Sequence, residues 1–191
     1  MKEIDLNKWA EYRSSKKIMH IKEFKELDIS WDRLIDLMNL SSAKESDIFS
    51  TMNQQYAKPK YVYKNCISSI IGTIGYVQFV AHLPLILNEV GYAIKTIDNV
   101  FGLTKKRDAV QFFCNLVDTE YISETHADPW DAAVLQVKGT TMWDMYTEDG
   151  QTITDSVYLE EGDLMLVPKG SVHKVTSNSS RATLNFNIER D

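Results

Sequence analysis

The sequence predicts a mainly β protein, an antiparallel barrel or jelly roll with helices packed on its outside. From about residue 92 onward, short runs of Val, Ile, Phe, Tyr and Thr alternate with turn residues, as strands and their connections do. No helical pattern separates these runs, which favours an antiparallel barrel or jelly roll. Before residue 92 the pattern is helical and more polar. We therefore expect one domain over residues 1–191, with a helical part (1–91) and a barrel core (92–191).

The first 55 residues or so are predicted to be helical. Apolar residues repeat there at spacings of three and four, which is typical of an amphipathic helix: Leu27, Trp31, Leu34, Ile35 and Met38. Ser30 is the predicted N-cap of that helix. Residues 41–58 are rich in Ser, Gln and Asn and are predicted to form a short helix or a loop.

A short strand and a second amphipathic helix are predicted to lead into the barrel. The strand is Tyr61–Tyr63. The helix is predicted to begin after Pro84, to bury Leu85, Ile86, Leu87 and Val90, and to end at Gly91, because glycine is a common helix terminator.

The barrel strands are predicted from alternating β-branched and aromatic residues. Eight are predicted, at 93–97, 110–117, 132–138, 141–147, 151–158, 163–167, 172–176 and 182–188. The turns between them are marked by Gly, Pro, Asn and Asp, at 148–150, 161–163, 168–170 and 177–180.

Composition and charge narrow the class of protein. The chain of 191 residues is 43% hydrophobic and has a net charge of -6, which disfavours a nucleic-acid-binding role. Cys66 and Cys114 lie in apolar contexts without a C-x-x-C pair, which predicts reduced thiols in a cytoplasmic protein. The charged N-terminus is not a signal peptide, and polar residues interrupt the apolar stretch 67–87, so no membrane span is expected.

Two of the four histidines are predicted metal ligands together with an aspartate. His126-Ala127-Asp128 places an imidazole and a carboxylate on the same side of an extended strand. A further histidine from a distant strand would complete a 2-His-1-carboxylate set, the arrangement of non-haem Fe(II) oxygenases. His173, which enters a strand after the turn at 168–170, is that candidate. His20 and His82 have no such partners and are predicted to be a surface residue and a structural residue.

These motifs resemble the JmjC-like cupin family, which includes ribosomal oxygenases and the asparaginyl hydroxylase that inhibits hypoxia-inducible factor. The first half of the pattern is H-x-D at 126–128, then Gln136, Gly139 and Trp143. The second half, G-D-x-x-x-x-P-x-x-x-x-H, runs from Gly162 to His173. The resemblance covers about residues 60–190 and implies a double-stranded β-helix, that is, a cupin jelly roll.

The resemblance also implies an activity. Family members use Fe(II), 2-oxoglutarate and dioxygen to hydroxylate a C–H bond, most often on an amino-acid side chain of a peptide or protein. His126, Asp128 and His173 would hold the iron. The chain ends at Asp191 without the additional dimerisation and substrate-binding domain of the ribosomal oxygenases, so we expect a monomer or a weak homodimer, with a peptide, a protein or a small molecule as substrate.

One position departs from the family. Thr141 stands where the family has the Lys or Arg that pairs with the distal carboxylate of 2-oxoglutarate. A buried carboxylate without a cation is costly, so we expect Arg181 to take this role, because arginine binds carboxylates in a bidentate manner. Arg181 and Thr183 resemble the R-x-S element of prolyl-hydroxylase-like enzymes.

Further cosubstrate contacts are predicted around Arg181. By alternation, Asn185 and Asn187 share its strand face, and Ser123 matches a hydroxyl residue that contacts cosubstrate in the asparaginyl hydroxylase. Lys138 also has a match in the family, but it is not the expected cosubstrate cation. The aromatic residues Trp130, Trp143 and Tyr146 would line the pocket or belong to the core, and core is favoured for Trp143. Asp131 is either a partner of the metal-binding residues or a solvated acid.

Two alternatives remain open at this point. Thr141 also fits a cupin metalloenzyme that does not use 2-oxoglutarate. A non-catalytic cupin that binds a ligand is less consistent with a complete set of three ligands.

Overall fold

Two antiparallel β-sheets form the core of the computed structural model, which describes residues 2–25, 27–32, 48–52, 55–57, 74–78, 88–101, 110–115 and 121–188. Helix α1 is Leu6–Ser14 and helix α2 is Asn88–Phe101; residues 31 and 32, after Ser30, are also helical. The strands are β1 (Met19–Ile21), β2 (Ile48–Met52), β3 (Gln55–Ala57), β4 (Ile74–Gln78), β5 (Val110–Asn115), β6 (Tyr121–Ile122), β7 (His126–Ala127), β8 (Asp131–Lys138), β9 (Thr141–Tyr146), β10 (Ile153–Leu159), β11 (Leu164–Val167), β12 (Val172–Ser177) and β13 (Arg181–Ile188).

The strand order is that of a jelly roll. One sheet has the order β1-β11-β8-β13-β5-β4-β2-β3, and the other has the order β10-β9-β12-β6, with β7 also paired to β12. A buried apolar cluster fills the space between the sheets, with residues from β8 and β11 on one side and β9, β10 and β12 on the other: Ala132, Val134, Trp143, Met145, Val157, Leu159, Met165, Val167 and Val175. The predicted fold class is confirmed.

Side-chain alternation sorts the interior from the surface. Along β9, Thr141, Trp143 and Met145 are buried, while the residues between them are half-exposed. Strand β12 repeats the pattern with His173 buried. Every residue of β13 is buried, because this strand lies in the middle of the larger sheet between β8 and β5.

Helix α1 packs on the outside of the barrel, as the sequence predicted for the N-terminal helices. Asp5 caps it, since its side chain accepts hydrogen bonds from the backbone N–H groups of Asn7 and Lys8, both at 3.0 Å. Trp9 is only 1% exposed and anchors the helix. Just beyond the helix, Lys16 forms an ion pair of 2.5 Å with Glu148 in the β9–β10 turn.

Residues 1–55 are not uniformly helical, and this part of the prediction was wrong. Strand β1 pairs with β11 at the edge of the larger sheet, and β2 and β3 form a hairpin in the segment that was expected to be a short helix or loop. These strands are only three to five residues long, and β1 and β2 are extended by pairing with β11 and β4, which lie further along the chain.

Helix α2 corrects two predictions. Gly91 was expected to end a helix and residues 93–97 were expected to form a strand, but one helix runs from Asn88 to Phe101 through both. An interior glycine costs a helix only about 1 kcal/mol. Ile97 is fully buried, so packing of an apolar side of the helix offsets that cost. The structure shows no helix in its described parts that is long and apolar enough to cross a membrane.

The other predicted barrel strands are confirmed to within about two residues at each end by β5 and β8–β13. Several predicted features lie outside the described residues: Tyr61–Tyr63, the helix start at 84–87, Leu34, Ile35 and Met38, His82 and Cys66.

The glycine of the predicted Q-x-x-G pattern is required by the β8–β9 turn. Gly139 has φ +64°, and a Cβ at this position would lie 2.1 Å from the backbone oxygen of Ser180. Any other residue would therefore meet both a strained backbone conformation and a backbone clash.

Candidate metal centre

The two histidines of the predicted ligand set are cross-strand neighbours. Strand β7 pairs with β12 so that His126 lies opposite His173 and Ala127 opposite Val172. Asp128 follows β7 directly, and its backbone oxygen accepts a hydrogen bond of 2.9 Å from the N–H of Gly170, in the turn before β12. Backbone pairing thus brings together two segments that are far apart in the sequence.

The three side chains converge on one point. One ligand atom from each of His126, Asp128 and His173 lies within 4.8 Å of the others. The Nε2 of His173 is 3.9 Å from Oδ2 of Asp128, and the two imidazole centroids are 4.4 Å apart. Among the residues that the structure describes, this is the one group of three or more His, Cys, Asp or Glu side chains with metal-binding spacing.

Hydrogen bonds orient both imidazoles toward that point. The Nδ1 of His126 is 2.8 Å from the backbone oxygen of Glu124, and the Nδ1 of His173 is 3.0 Å from that of Ser171. A carbonyl oxygen only accepts, so Nδ1 carries a proton in each ring, and in the neutral form of such a ring the lone pair is on Nε2. Metal-binding histidines are typically fixed by such a bond at the second nitrogen.

Burial keeps His173 in the form that binds metal. The imidazole is 2% exposed, and this desolvation lowers its pKa; the backbone oxygen of Ser171 and the carboxylate of Asp128 oppose the shift, and His126 reinforces it. A neutral imidazole is the ligand form. His126 is exposed and Asp128 half-buried, so the group opens toward solvent on one side.

The donor set fits a divalent transition metal. Two imidazole nitrogens and one carboxylate on one face leave other coordination positions open, and this set suits Fe(II). The geometry therefore fits the metal that the sequence pattern predicts.

A chain of buried hydrogen bonds runs from His173 into the barrel. The indole of Trp143 stacks on the His173 ring with centroids 5.1 Å apart. Its Nε1 donates to the Thr141 hydroxyl at 3.1 Å, and that hydroxyl donates to Oε1 of Gln136 at 2.9 Å. Gln136 donates in turn to the backbone oxygen of Lys138 at 2.8 Å. Trp143 is thus a core residue, as the sequence favoured, that also touches a candidate ligand.

The same chain reaches Arg181. Thr183 lies opposite Gln136 in the β8–β13 register, and its hydroxyl donates to Oε1 of Gln136 at 3.1 Å. Nη1 of Arg181, which is 3% exposed, donates to the Thr183 hydroxyl at 3.3 Å. Arg181 is therefore an interior residue and not a solvated one.

The other predicted cosubstrate residues have these positions. Asn185 and Asn187 are buried and lie opposite Val134 and Ala132, two residues of the interior cluster. Ser123 accepts a hydrogen bond of 2.8 Å from the backbone N–H of Val175. That bond gives its side chain a role in holding the β6 end against β12.

Lys138 does not point into the barrel as a cosubstrate cation. Its ammonium group lies 3.0 Å from Oε2 of Glu161, and Oε1 of Glu161 accepts from the N–H of Gly139 at 2.9 Å. This ion pair closes the turn at Gly139.

His20 has an acidic partner that sequence spacing did not reveal. Its Nε2 is 2.8 Å from Oδ2 of Asp163, 143 positions away, and the ring is 19% exposed. His20 was predicted to be a surface residue, but it is half-buried, because β1 pairs with β11 and carries it beside the buried Asp163. Asp163 also accepts from the backbone N–H groups of Glu23 and Glu160.

Asp131 is buried, and it is held from two sides. Its Oδ1 accepts from the backbone N–H of Lys169 at 2.7 Å, and its Oδ2 pairs with the guanidinium of Arg13 on α1. The reading as a solvated acid was wrong. No signal in the sequence marks Arg13 as its partner, since the two are 118 positions apart.

Two buried donors flank the ligands in the sequence. The indole Nε1 of Trp130 and the hydroxyl of Ser171 make no hydrogen bond within the described structure. Trp130 follows Asp128 by two positions and Ser171 precedes His173 by two, so both lie beside the metal-binding segments. Buried polar groups normally have a partner, which makes them candidates for contacts with a bound molecule.

Comparison with solved structures supports the fold. The chain is similar to YcfD, a ribosomal oxygenase from Escherichia coli: one structure matches 100% of this chain and 53% of its own length at a TM-score of 0.70 and 16% identity. A second, in complex with cobalt and 2-oxoglutarate, matches 96% and 52% at a TM-score of 0.66 and 16% identity. A third, with cobalt and succinic acid, matches 96% and 51% at 0.65 and 15%.

The chain therefore spans about half the length of these proteins. No protein-family model and no curated protein sequence matches it. At this identity the likeness shows a shared fold.

Proposed function

We propose that this protein, whose fold is that of the ribosomal oxygenase YcfD, is an Fe(II)- and 2-oxoglutarate-dependent oxygenase. Its reaction would hydroxylate a C–H bond of an amino-acid side chain on a peptide or protein. The observation that carries the proposal is the convergence of His126, Asp128 and His173 within 4.8 Å, with each Nδ1 already engaged. The complex of YcfD with cobalt and 2-oxoglutarate supports the cosubstrate.

The three ligands would hold the iron, which when bound supplies the redox chemistry that activates dioxygen. The protein's own contribution begins with the tautomers. The backbone oxygens of Glu124 and Ser171 hold the two imidazoles through Nδ1, which leaves Nε2 of each ring available to a metal. Trp143, a residue of the interior cluster, covers one face of the buried His173 ring.

Arg181 is proposed to bind the distal carboxylate of 2-oxoglutarate. Its buried guanidinium lies on the interior face of β13 and is oriented by Thr183. Charge-assisted bonds of arginine to a carboxylate are short and directional. Asn185, Asn187 and Ser123 are proposed as further contacts of the cosubstrate.

Thr141 is proposed to act on the cosubstrate pocket indirectly. Its hydroxyl is hydrogen-bonded to Gln136 and Trp143, so it orients the groups around Arg181 and His173 where the family has a cation. Trp130 Nε1 and Ser171 Oγ are proposed as donors to the substrate, because both are buried without a hydrogen bond.

Cosubstrate turnover tests the proposal. The protein is incubated with Fe(II), ascorbate and 2-oxoglutarate, and succinate is measured with the Asp128→Ala variant as the matched control. We expect succinate from the wild type and a loss of at least about tenfold in the variant. Mutation of residues that only surround metal ligands already costs about 10- to 100-fold in metal affinity or activity, and loss of a ligand should cost no less. Equal succinate from both proteins would contradict the assignment of the ligands.

A second candidate is a cupin metalloenzyme that does not use 2-oxoglutarate. The observation that favours it is Thr141, which supplies no positive charge at the family's cation position. Binding separates the two candidates. If the Co(II)-loaded protein shows no spectral change on addition of 2-oxoglutarate, the second candidate replaces the first.

A further inference from the structure

We infer that the ion pair between Arg13 and Asp131 positions the metal ligands, so that helix α1 outside the barrel is part of the machinery of the site. This inference rests on the proposed metal centre and adds two positioning residues to it. The hydrogen bonds and ion pairs of Arg13 and Asp131 in the described structure do not include the three ligand side chains, so both would act through the backbone segments that carry the ligands.

Asp131 joins the two segments that supply the ligands. It is the first residue of β8 and follows Asp128 by three positions, and its carboxylate accepts from the N–H of Lys169, in the turn that leads into His173. The next residue of that turn, Gly170, donates to the backbone oxygen of Asp128 at 2.9 Å. The N–H groups of Lys169 and Gly170, in the segment that leads to His173, are thus both bonded to the segment that carries Asp128.

The position of the turn decides where His173 lies. The Nδ1 of His173 is bonded to the backbone oxygen of Ser171, and the N–H of Ser171 is bonded to the backbone oxygen of Pro168 at 3.1 Å. A shift of the turn would therefore rotate the imidazole together with its acceptor. Metal ligation tolerates little such movement, because ligand distances are fixed to about 0.2 Å.

Arg13 stabilises Asp131 in its buried position. Asp131 is 2% exposed, whereas the Arg13 side chain is 40% exposed, so the charged partner comes from the solvent side. A buried carboxylate without a cation would be driven toward water or toward protonation. Helix α1 holds Arg13 in place through the buried Trp9.

Metal affinity tests the inference with Co(II) as the probe. Co(II) is titrated into the full-length wild type and into Asp131→Asn, Arg13→Met and Arg13→Lys, and dissociation constants are measured from the visible absorption of the bound ion. We expect a loss of about tenfold in D131N and R13M, at the lower end of the effect of residues around metal ligands, and recovery to within about twofold in R13K.

The Lys16→Met variant is the matched control. Lys16 follows the same helix and forms an ion pair with the barrel at Glu148. This pair takes no part in the hydrogen bonds that hold the turn at 168–171, so its loss should leave Co(II) affinity unchanged. Unfolding of the metal-free proteins in urea is measured in parallel. If D131N and R13M lose stability but bind Co(II) as the wild type does, the pair is merely structural and the inference is wrong.

The test also separates this inference from the proposed function. A wild type that binds no Co(II) overturns the metal centre itself. If the wild type, R13M and D131N all bind Co(II) with equal affinity, only the positioning role is overturned. If D131N does not fold, the comparison of R13M with R13K still tests the positioning role. The Arg13 side chain is 40% exposed, so its replacement disturbs the fold less than that of the buried Asp131.

Discussion

The indole of Trp143 stacks on the imidazole of His173, with ring centroids 5.1 Å apart and an angle of 27° between the planes. The two residues are diagonal neighbours, because Trp143 lies opposite Val175 in the β9–β12 register. The indole N–H is in turn fixed by Thr141. The candidate ligand is therefore held in three directions, by the Ser171 carbonyl, by strand pairing and by an aromatic face.

Thr141→Val should destabilise the protein by about 1–3 kcal/mol, because it removes the acceptor of the Trp143 N–H and a donor to Gln136 in a buried place. In a Trp143→Phe background the same substitution should cost less, since the indole N–H is already absent. Urea unfolding of the four proteins measures this coupling. Additive effects would show that the hydrogen bond between the two side chains has no energetic weight.

His126→Ala should weaken Co(II) binding by more than about 100-fold, because mutation of residues that only surround metal ligands already lowers metal affinity by about 10- to 100-fold. The matched control is His20→Ala, which removes a histidine bonded to Asp163 far from the ligand group. Isothermal titration of both variants with Co(II) checks the prediction. An unchanged affinity in H126A would remove this residue from the ligand set.

Arg181→Met should weaken binding of 2-oxoglutarate to the Co(II)-loaded protein by about 10- to 100-fold, the value of a hydrogen bond to a charged group. Its affinity for Co(II) itself should be retained, because Arg181 is not one of the three residues that converge as metal ligands. Lys138→Met is the control, since Lys138 is paired with Glu161. An equal loss in both variants would point to general electrostatics instead of a specific contact.

Gly139→Ala should be far more damaging than Gly170→Ala, although both glycines have positive φ angles of 64° and 76°. The backbone conformation costs each variant about 1–2 kcal/mol. At Gly139 the added Cβ also meets the Ser180 oxygen at 2.1 Å, whereas nothing lies within 4 Å of it at Gly170. Denaturant midpoints of the two variants check this order, and equal midpoints would contradict the clash.

Asp163→Asn should destabilise the protein at neutral pH by about 1.5–3 kcal/mol, the range for hydrogen bonds to a charged group. Burial raises the pKa of Asp163, but the N–H of Glu23, the His20 side chain and the N–H of Glu160 outweigh it, so the net shift is below the ordinary 3.8. A lowered folded-state pKa gives stability that is present above 3.8 and is lost as the pH falls below it.

The difference in stability between wild type and D163N should therefore be constant from pH 7 to pH 5 and should shrink below about pH 4. Urea unfolding at several pH values measures it. A difference that stays constant down to pH 3 would mean that the charge of Asp163 has no part in its effect.

The barrel strands could be predicted because their residues alternate between two faces, and strands β9 and β12 bury every second residue. The N-terminal strands could not be predicted, since β1 is only three residues long and becomes extended by pairing with β11. The helix through Gly91 was not predicted, because glycine commonly ends a helix. Packing of the apolar residues that continue to Ile97 outweighs this local preference.

The proximity of His126, Asp128 and His173 could be predicted because the H-x-D spacing and the turn before His173 are local patterns. The supports of the site could not be. Arg13 meets Asp131 across 118 positions, and His20 meets Asp163 across 143. Such pairs are set by tertiary topology, and a single sequence holds no periodic signal for them.

Strand β13 lies between β8 and β5 and is the last of the thirteen strands in chain order among the residues described. The middle of the larger sheet is therefore missing until β13 has been inserted. Strand β13 pairs with β5 and β8, and both of these strands are distant from it in the sequence. Such topologies fold slowly and cooperatively. In a partly folded chain Arg181 would not yet be enclosed in the interior, so the proposed binding of 2-oxoglutarate should appear only once folding is complete.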